Sequence, residues 1–392
     1  MRAVAEKLEK LHLSEISPGM VQSEIRAMTV ACDQVGGVNL AQGVCDTEVP
    51  SPVAARAIEA IGQGLNIYTR MDGIEVLRRA IADKLARHNG VQADPDGEVL
   101  VTSGATAGFQ AACMALFDPG DEVILFEPFY GYHLNTLRAL RVKATTVPLA
   151  ATDWALDVEA LRAAITPKTR GIVVNSPSNP CGKVFSRAEL EAVAALAIQN
   201  DLFVITDEIY EYFVFDGARH TSLATLPGMA ERTISISGLS KTFSITGWRI
   251  GYLVADRRWM GAIAYFHDLV YVCAPSPFQH GAAAGLLQLP ESFYSGLAGE
   301  YQAKRDMLCA ALSDVGLTPS IPQGAYYVLA DVTKLPGATA REKARTLLTN
   351  TGVAAVAGTA FFAGGRGENL IRFCFAKRDE ELSRACDMLR AL

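Results

Sequence analysis

Lys241 ends the string Ser237-Gly238-Leu239-Ser240-Lys241, where small residues let a ligand approach the backbone closely. A lysine amine is nucleophilic only when neutral, so a reactive lysine needs a depressed pKa or must be held as an imine. Eight residues on, Arg249 in Gly247-Trp248-Arg249-Ile250-Gly251 offers a fixed cation for a phosphate. Ser103-Gly104-Ala105-Thr106 places small residues at a helix start, leaving backbone N–H groups free to cradle an anion. Asn175-Ser176-Pro177-Ser178-Asn179-Pro180-Cys181-Gly182 follows an apolar run, at the strand end where open α/β sheets seat their ligands. Thr206-Asp207-Glu208-Ile209-Tyr210 puts a carboxylate and a phenol three residues apart at another such end. Arg372, in Asn369-Leu370-Ile371-Arg372-Phe373-Cys374-Phe375-Ala376, alternates with apolar neighbours, a costly place for a cation unless it is paired. Each segment alone has an ordinary explanation: a loop lysine, a proline turn, a helix cap. Their number and order are what require chemistry.

The elements that must position these groups read as strands alternating with helices, the pattern of a mostly parallel sheet covered on both faces. Strands are expected at 99–103, 122–126, 171–175, 202–206, 233–237 and 249–254, with a helix at 105–117. Runs such as Gly171-Ile172-Val173-Val174 and Leu202-Phe203-Val204-Ile205 are continuously apolar, which suits strands buried on both faces. Ser186 with Glu189 three residues on forms a capping box at a helix start. Ser51-Pro52 reads as a capping hydroxyl followed by a first-turn proline. From about residue 290 the texture changes to a long helix through 300–312, short strands near 326–330 and 370–375, and a closing helix from Asp379.

Taken in order, the segments resemble the class I/II aminotransferases, fold type I of the pyridoxal 5′-phosphate enzymes, over nearly the whole chain. The resemblance implies an α/β fold: a large domain at 51–285 with its parallel sheet sandwiched by helices, and a small α+β domain from 1–50 and 286–392. It also implies site roles. Lys241 carries the cofactor as an imine and then serves as the base at the substrate α-carbon. Asp207 keeps the pyridine nitrogen protonated, and Tyr210 and Asn179 hydrogen-bond the phenolic oxygen. Ala105, Thr106 and Arg249 hold the phosphate, joined by Tyr68 from a second copy of the chain, Ser237 is a further cofactor-binding residue, and Tyr130 stacks on the ring. Arg372 clamps the substrate α-carboxylate with Asn179 and Gly43 beside it. The chain departs from the pattern at Cys181, where threonine is usual, and at Val44-Cys45-Asp46, which replaces glycine-x-proline-aspartate.

The resemblance implies ping-pong transfer from an L-amino acid to a 2-oxo acid, in a homodimer with shared active sites. The expected donor is neutral or aromatic, without excluding aspartate, and the expected acceptor is 2-oxoglutarate or pyruvate. The same machinery serves C–S β-lyases, the rival enzyme reading. A ligand-sensing module would need an added DNA-binding segment, and the residues before Gly43 are not basic. Roles for Arg70, Asp72, Cys45, Phe361 and Phe362 stay open. The bulk composition agrees. The 392 residues suit two domains, half are hydrophobic, and the net charge of −6 gives no reason to expect nucleic acid or a membrane surface. Eight scattered cysteines and six dispersed histidines carry no metal-ligand spacing, so no metal is expected. The first twenty residues lack an apolar core for a signal peptide, and a cytoplasmic enzyme is the expectation.

Overall fold

A computed structural model describes residues 12–17, 20, 24–151 and 153–392. Thirteen strands follow in chain order. They are β1 (Val38–Asn39), β2 (Val99–Thr102), β3 (Glu122–Glu127), β4 (Lys143–Pro148), β5 (Thr169–Asn175), β6 (Phe203–Asp207), β7 (Thr233–Gly238) and β8 (Gly251–Val254), then β9 (Thr318–Ser320), β10 (Tyr327–Asp331), β11 (Val353–Ala354), β12 (Val356–Ala357) and β13 (Leu370–Cys374).

Seven of them form one sheet in the order β2-β8-β7-β6-β5-β3-β4, parallel throughout except for β8, which runs antiparallel to both neighbours. The apolar runs have the cause expected of them. Along β5, Ile172 and Val174 enter one core with the helix Arg187–Gln199, while Val173 enters the opposite core with the helices Ala105–Leu116 and Arg257–Tyr271. Val204 and Ile205 of β6 divide in the same way. With successive side chains on opposite faces, only an uninterrupted apolar run satisfies both cores. Each such side chain contributes roughly 1.5–3 kcal/mol on burial.

Four strands make a second, antiparallel sheet in the order β12-β13-β10-β9, backed by the helices Glu291–Asp314 and Ala340–Thr351, with the helix Asp379–Arg390 packed on the first of these. Val38–Asn39 pairs in parallel with Val353–Ala354, and the backbone continues as Leu40 N–H donating to Ala354 and Cys374 N–H donating to Leu40. That pairing carries residues 41–46 alongside the central strand of the small sheet. No described helix is long and apolar enough to cross a membrane.

The capping box at Ser186 is complete, with Ser186 Oγ accepting from Glu189 N–H and Glu189 Oε2 accepting from Ser186 N–H. The reading of Ser51 is corrected. Pro50 holds the N-cap position, Ser51 is already helical, and its hydroxyl makes no capping bond. The long helix expected to pass through 300–312 spans Glu291–Asp314. The final strand of the large sheet starts at Gly251 because Arg249 adopts a left-handed φ of +57° and breaks the extended run.

Candidate active site

The carboxyl ends of β2, β5, β6 and β7 share one edge of the large sheet, and Asn175, Asp207 and Ile236 stand side by side in register there. Sequence segments far apart in the chain therefore open onto one cleft, whose other wall is the small sheet.

Lys241 lies in the turn after β7. Its Nζ donates to the Gly43 carbonyl at 3.0 Å and sits 5.5 Å from the centre of the Tyr326 ring. Burial holds the amine pKa below the usual lysine value, and Arg249 and Arg372 add repulsion in the same direction. A larger share of this amine is neutral at a given pH than of a surface lysine.

The anion cradle forms where the sequence places it. Gly104, with φ of +82°, precedes the helix Ala105–Leu116 and gives it no side-chain cap; Ala107 and Gly108 N–H donate to the Gly104 carbonyl, and the Ala105 and Thr106 N–H groups keep their capacity for a ligand. The Arg249 guanidinium lies directly over this turn, and a Cβ on Gly104 would overlap it. Helix terminus and cation thus face the same small volume, a fit for a phosphate. Cys273 and His267 border it through Ser103, whose N–H donates to His267 Nε2.

Asp207 ends β6 with its carboxylate buried. His133 Nε2 meets Asp207 Oδ2 at 3.1 Å, and Ile209 N–H donates to Oδ1. An ionised carboxylate only accepts, which puts the proton on Nε2 of His133. Tyr130 stands edge-on to the same histidine and stacked on Tyr132. The Tyr210 hydroxyl lies 3.0 Å from that of Tyr327, and burial, then Tyr327, push the Tyr210 phenol well above its ordinary pKa.

Arg372 is almost fully buried on the central strand of the small sheet. Nη1 donates to Asn179 Oδ1 at 2.9 Å and Nη2 to the Ala41 carbonyl at 2.6 Å. The rings of Tyr327 and Phe361 lie 4.3 and 4.7 Å from Cζ. Nε is buried with no partner. An orphaned donor on a pinned cation beside an open cleft suits a carboxylate ligand. Asn179 gives its oxygen to Arg372 and its backbone N–H to Asn175 Oδ1, leaving its amide NH₂ to donate elsewhere.

Lys241, Asp207, Tyr210, Asn179, Arg372, Gly43, Tyr130, Ala105, Thr106 and Arg249 thus border one cleft. Two residues stand apart. Ser237 does not turn its hydroxyl to the cradle. It donates to Glu211 Oε1 at 2.9 Å, inside a buried network where Lys84 pairs with Glu211 and donates to Tyr252 and Asn89. Burial opposes the Glu211 charge, but Lys84 and nearby histidines bring its pKa down to about 2. Glu208, Glu211 and His220 offer three ligand atoms within 4.8 Å of one another. Lys84 already neutralises Glu211 there, and Glu208 accepts from Thr206, Ser222 and His220. Tyr68 is 80 % exposed, on a loop held beside the cradle by Gln279, which reaches Thr69 and the N–H of Ile74.

Sequence reasoning missed His133 and Tyr327. His133 follows Tyr130 by three residues at a helix start, so the two share a face, a spacing that could have flagged it. Tyr327 follows Gly324-Ala325-Tyr326, an aromatic pair after small residues that gave no sign of facing Tyr210.

Comparison with known proteins agrees with this geometry. Residues 35–389 match the family described as aminotransferase class I and II. A protein of Mycobacterium tuberculosis named "Probable N-succinyldiaminopimelate aminotransferase DapC" is 39 % identical over 93 % of this chain and 94 % of its own length. The solved structure of N-succinyldiaminopimelate aminotransferase from Mycobacterium tuberculosis superposes with a TM-score of 0.93 at 38 % identity, covering 97 % of this chain and 99 % of that one. An Escherichia coli protein with a methionine aminotransferase function gives a TM-score of 0.93 at 32 % identity, covering 97 % of this chain and all of its own.

Proposed function

Because this chain belongs to the class I and II aminotransferases, which use pyridoxal 5′-phosphate to move an amino group from an amino acid to a 2-oxo acid, we propose that its donor carries a neutral or aromatic side chain, with 2-oxoglutarate or pyruvate as acceptor. One observation carries this reading: Arg372, the carboxylate clamp, is boxed by the rings of Tyr327 and Phe361. Two further arginines are already engaged, Arg70 with Asp72 at 2.6 Å and Arg366 with the buried Glu127. A second carboxylate on the donor would have to break one of these pairs.

The residue roles follow from the contacts. Arg372 and Asn179 orient the α-carboxylate, which sets the α-hydrogen toward Lys241. The Lys241 amine, whose pKa burial lowers, takes that proton and returns a proton to the carbon at the other end of the C–N linkage. The bound cofactor supplies the conjugated ring that stores the electron pair, and Asp207, steadied by His133, holds the proton on its ring nitrogen. Ala105, Thr106 and Arg249 anchor the phosphate. The same reading assigns residues 51–285 to the large domain and the flanking segments to the small one. It also makes a second copy of the chain the partner of the loop that exposes Ile67, Tyr68 and Met71, so that Tyr68 completes the partner's cradle.

A half-reaction panel tests the substrate reading. Each amino acid is mixed with the holoenzyme and loss of the Lys241-bound cofactor absorbance is followed. Aromatic and neutral aliphatic donors should rank first. Aspartate reacting fastest, with aromatic donors inert, would overturn it.

A further inference from the structure

Tyr327 touches three parts of the site at once. It begins β10 beside Cys374 of β13, and its ring face supports the Arg372 guanidinium at 4.3 Å. Its hydroxyl lies 3.0 Å from the hydroxyl of Tyr210, a bond between two buried phenols. It also occupies the space that a side chain at Gly43 would need, since a Cβ there would overlap the Tyr327 hydroxyl. The Gly43 carbonyl already accepts from Lys241 Nζ and from Tyr326 Oη, so it is not a spare acceptor for Tyr327.

Two phenols sharing one hydrogen bond have a polarity. One donates inward, and the other keeps its proton for a third group. We propose that Tyr327 is a positioning residue: its hydroxyl donates to Tyr210, which points the Tyr210 proton outward at the phenolic oxygen of the cofactor. This rests on the aminotransferase reading, in which Tyr210 meets that oxygen. A phenol that accepts one hydrogen bond is a stronger donor in the next, so Tyr327 reinforces the donation without touching the cofactor. Both phenols stay protonated across the working range, because burial raises each of them. The arrangement also makes β10 a common support, for the carboxylate clamp through its ring and for the phenolic side through its hydroxyl.

The test reads the pH at which the absorbance of the Lys241-bound cofactor titrates, in wild-type, Tyr327→Phe and Tyr210→Phe holoenzymes. Cys45, Cys374, Arg249 and Arg372 face Lys241, and Tyr130 and Asp207 face Tyr210; all are unchanged in both variants. Weaker donation leaves the phenolic oxygen more negative, which holds the proton on the Lys241 linkage more tightly and moves the titration upward. Tyr327→Phe should shift it by about half a unit to one unit, the scale of one hydrogen bond, and Tyr210→Phe should shift it further. Tyr327→Phe keeps the ring under Arg372, so KM values should hold while kcat falls. Tyr327→Leu loses the ring as well and should raise KM for every substrate. A wild-type titration in Tyr327→Phe alongside a shifted Tyr210→Phe overturns the relay and leaves the aminotransferase reading standing. An unshifted Tyr210→Phe removes the role of Tyr210 on which the relay depends. A raised KM in Tyr327→Phe without a shift would place its hydroxyl on the substrate instead.

Discussion

Replacing Arg372 by lysine keeps the charge and removes the fork. In the structure the guanidinium spends one N–H of Nη1 on Asn179 Oδ1 and one of Nη2 on the Ala41 carbonyl, and keeps three for a ligand: the unpartnered Nε–H and the second N–H of each Nη. An ammonium has three donors on one atom. If it satisfies Asn179 and Ala41 it has a single proton left, and it cannot present two parallel donors to a carboxylate. The difference is one charge-assisted hydrogen bond, about 1.5–3 kcal/mol, or roughly 10- to 150-fold in kcat/KM. Because the α-carboxylate is common to amino acids and 2-oxo acids, the loss should be nearly equal for every donor and every acceptor. The assay is steady-state kcat/KM across three donors and two acceptors, with single-turnover rates for a decarboxylated amine as control. The amine lacks the carboxylate and should react equally slowly with both proteins. A loss confined to one substrate class would show that Arg372 reads a side chain. An equal loss with the amine would show that lysine had merely disturbed the cleft, and either result refutes the clamp.

Asp207→Ala should cost far more turnover than Asn179→Ala, because the first removes a buried charge steadied by His133 and the second a hydrogen bond worth ~0.5–1.5 kcal/mol net; similar rates would count against the ring-nitrogen role. Glu211→Gln leaves Lys84 buried without a counter-charge and should destabilise the fold by about 3–5 kcal/mol, read as a lowered denaturation midpoint. The pH trend has a definite sign: with the Glu211 pKa depressed to about 2, its stabilisation is complete above the ordinary carboxylate range and is lost as pH falls toward 2, so the wild-type advantage over Glu211→Gln should shrink on acidification. Lys241→Ala and Tyr68→Ala homodimers should be dead and weak respectively, yet mixed dimers should regain close to half the native activity per dimer, since one of their two sites is intact; mixed dimers no more active than their parents would return Tyr68 to the surface of its own chain.

Much of this protein was legible from local chemistry. Ile172 to Val174 and Val204 to Ile205 declare doubly buried strands because both faces of each must be apolar, a property of consecutive residues. Ser186 and Glu189 declare a helix start because the capping box closes within four residues. Lys241, Asp207, Asn179, Arg249 and Arg372 stand out on another ground, the order of their segments and the family resemblance that order carries, since each string alone also fits a loop, a turn or a cap. Where the deciding contact lies far along the chain, the residues alone were silent. Ser51 carries a capping hydroxyl yet is not a cap, since the chain turns into the helix at Pro50. The Ser237 hydroxyl faces Glu211, a choice made by the buried charge of Lys84 behind the sheet. His133 and Tyr327 are ordinary residues until the helix after Tyr130 sets one against Asp207 and the small sheet sets the other against Tyr210, 117 positions away. Backbone preference and burial pattern act over a few residues and can be read in order, whereas the partner of a buried polar atom is settled by packing between distant elements, and only the tertiary structure brings those together.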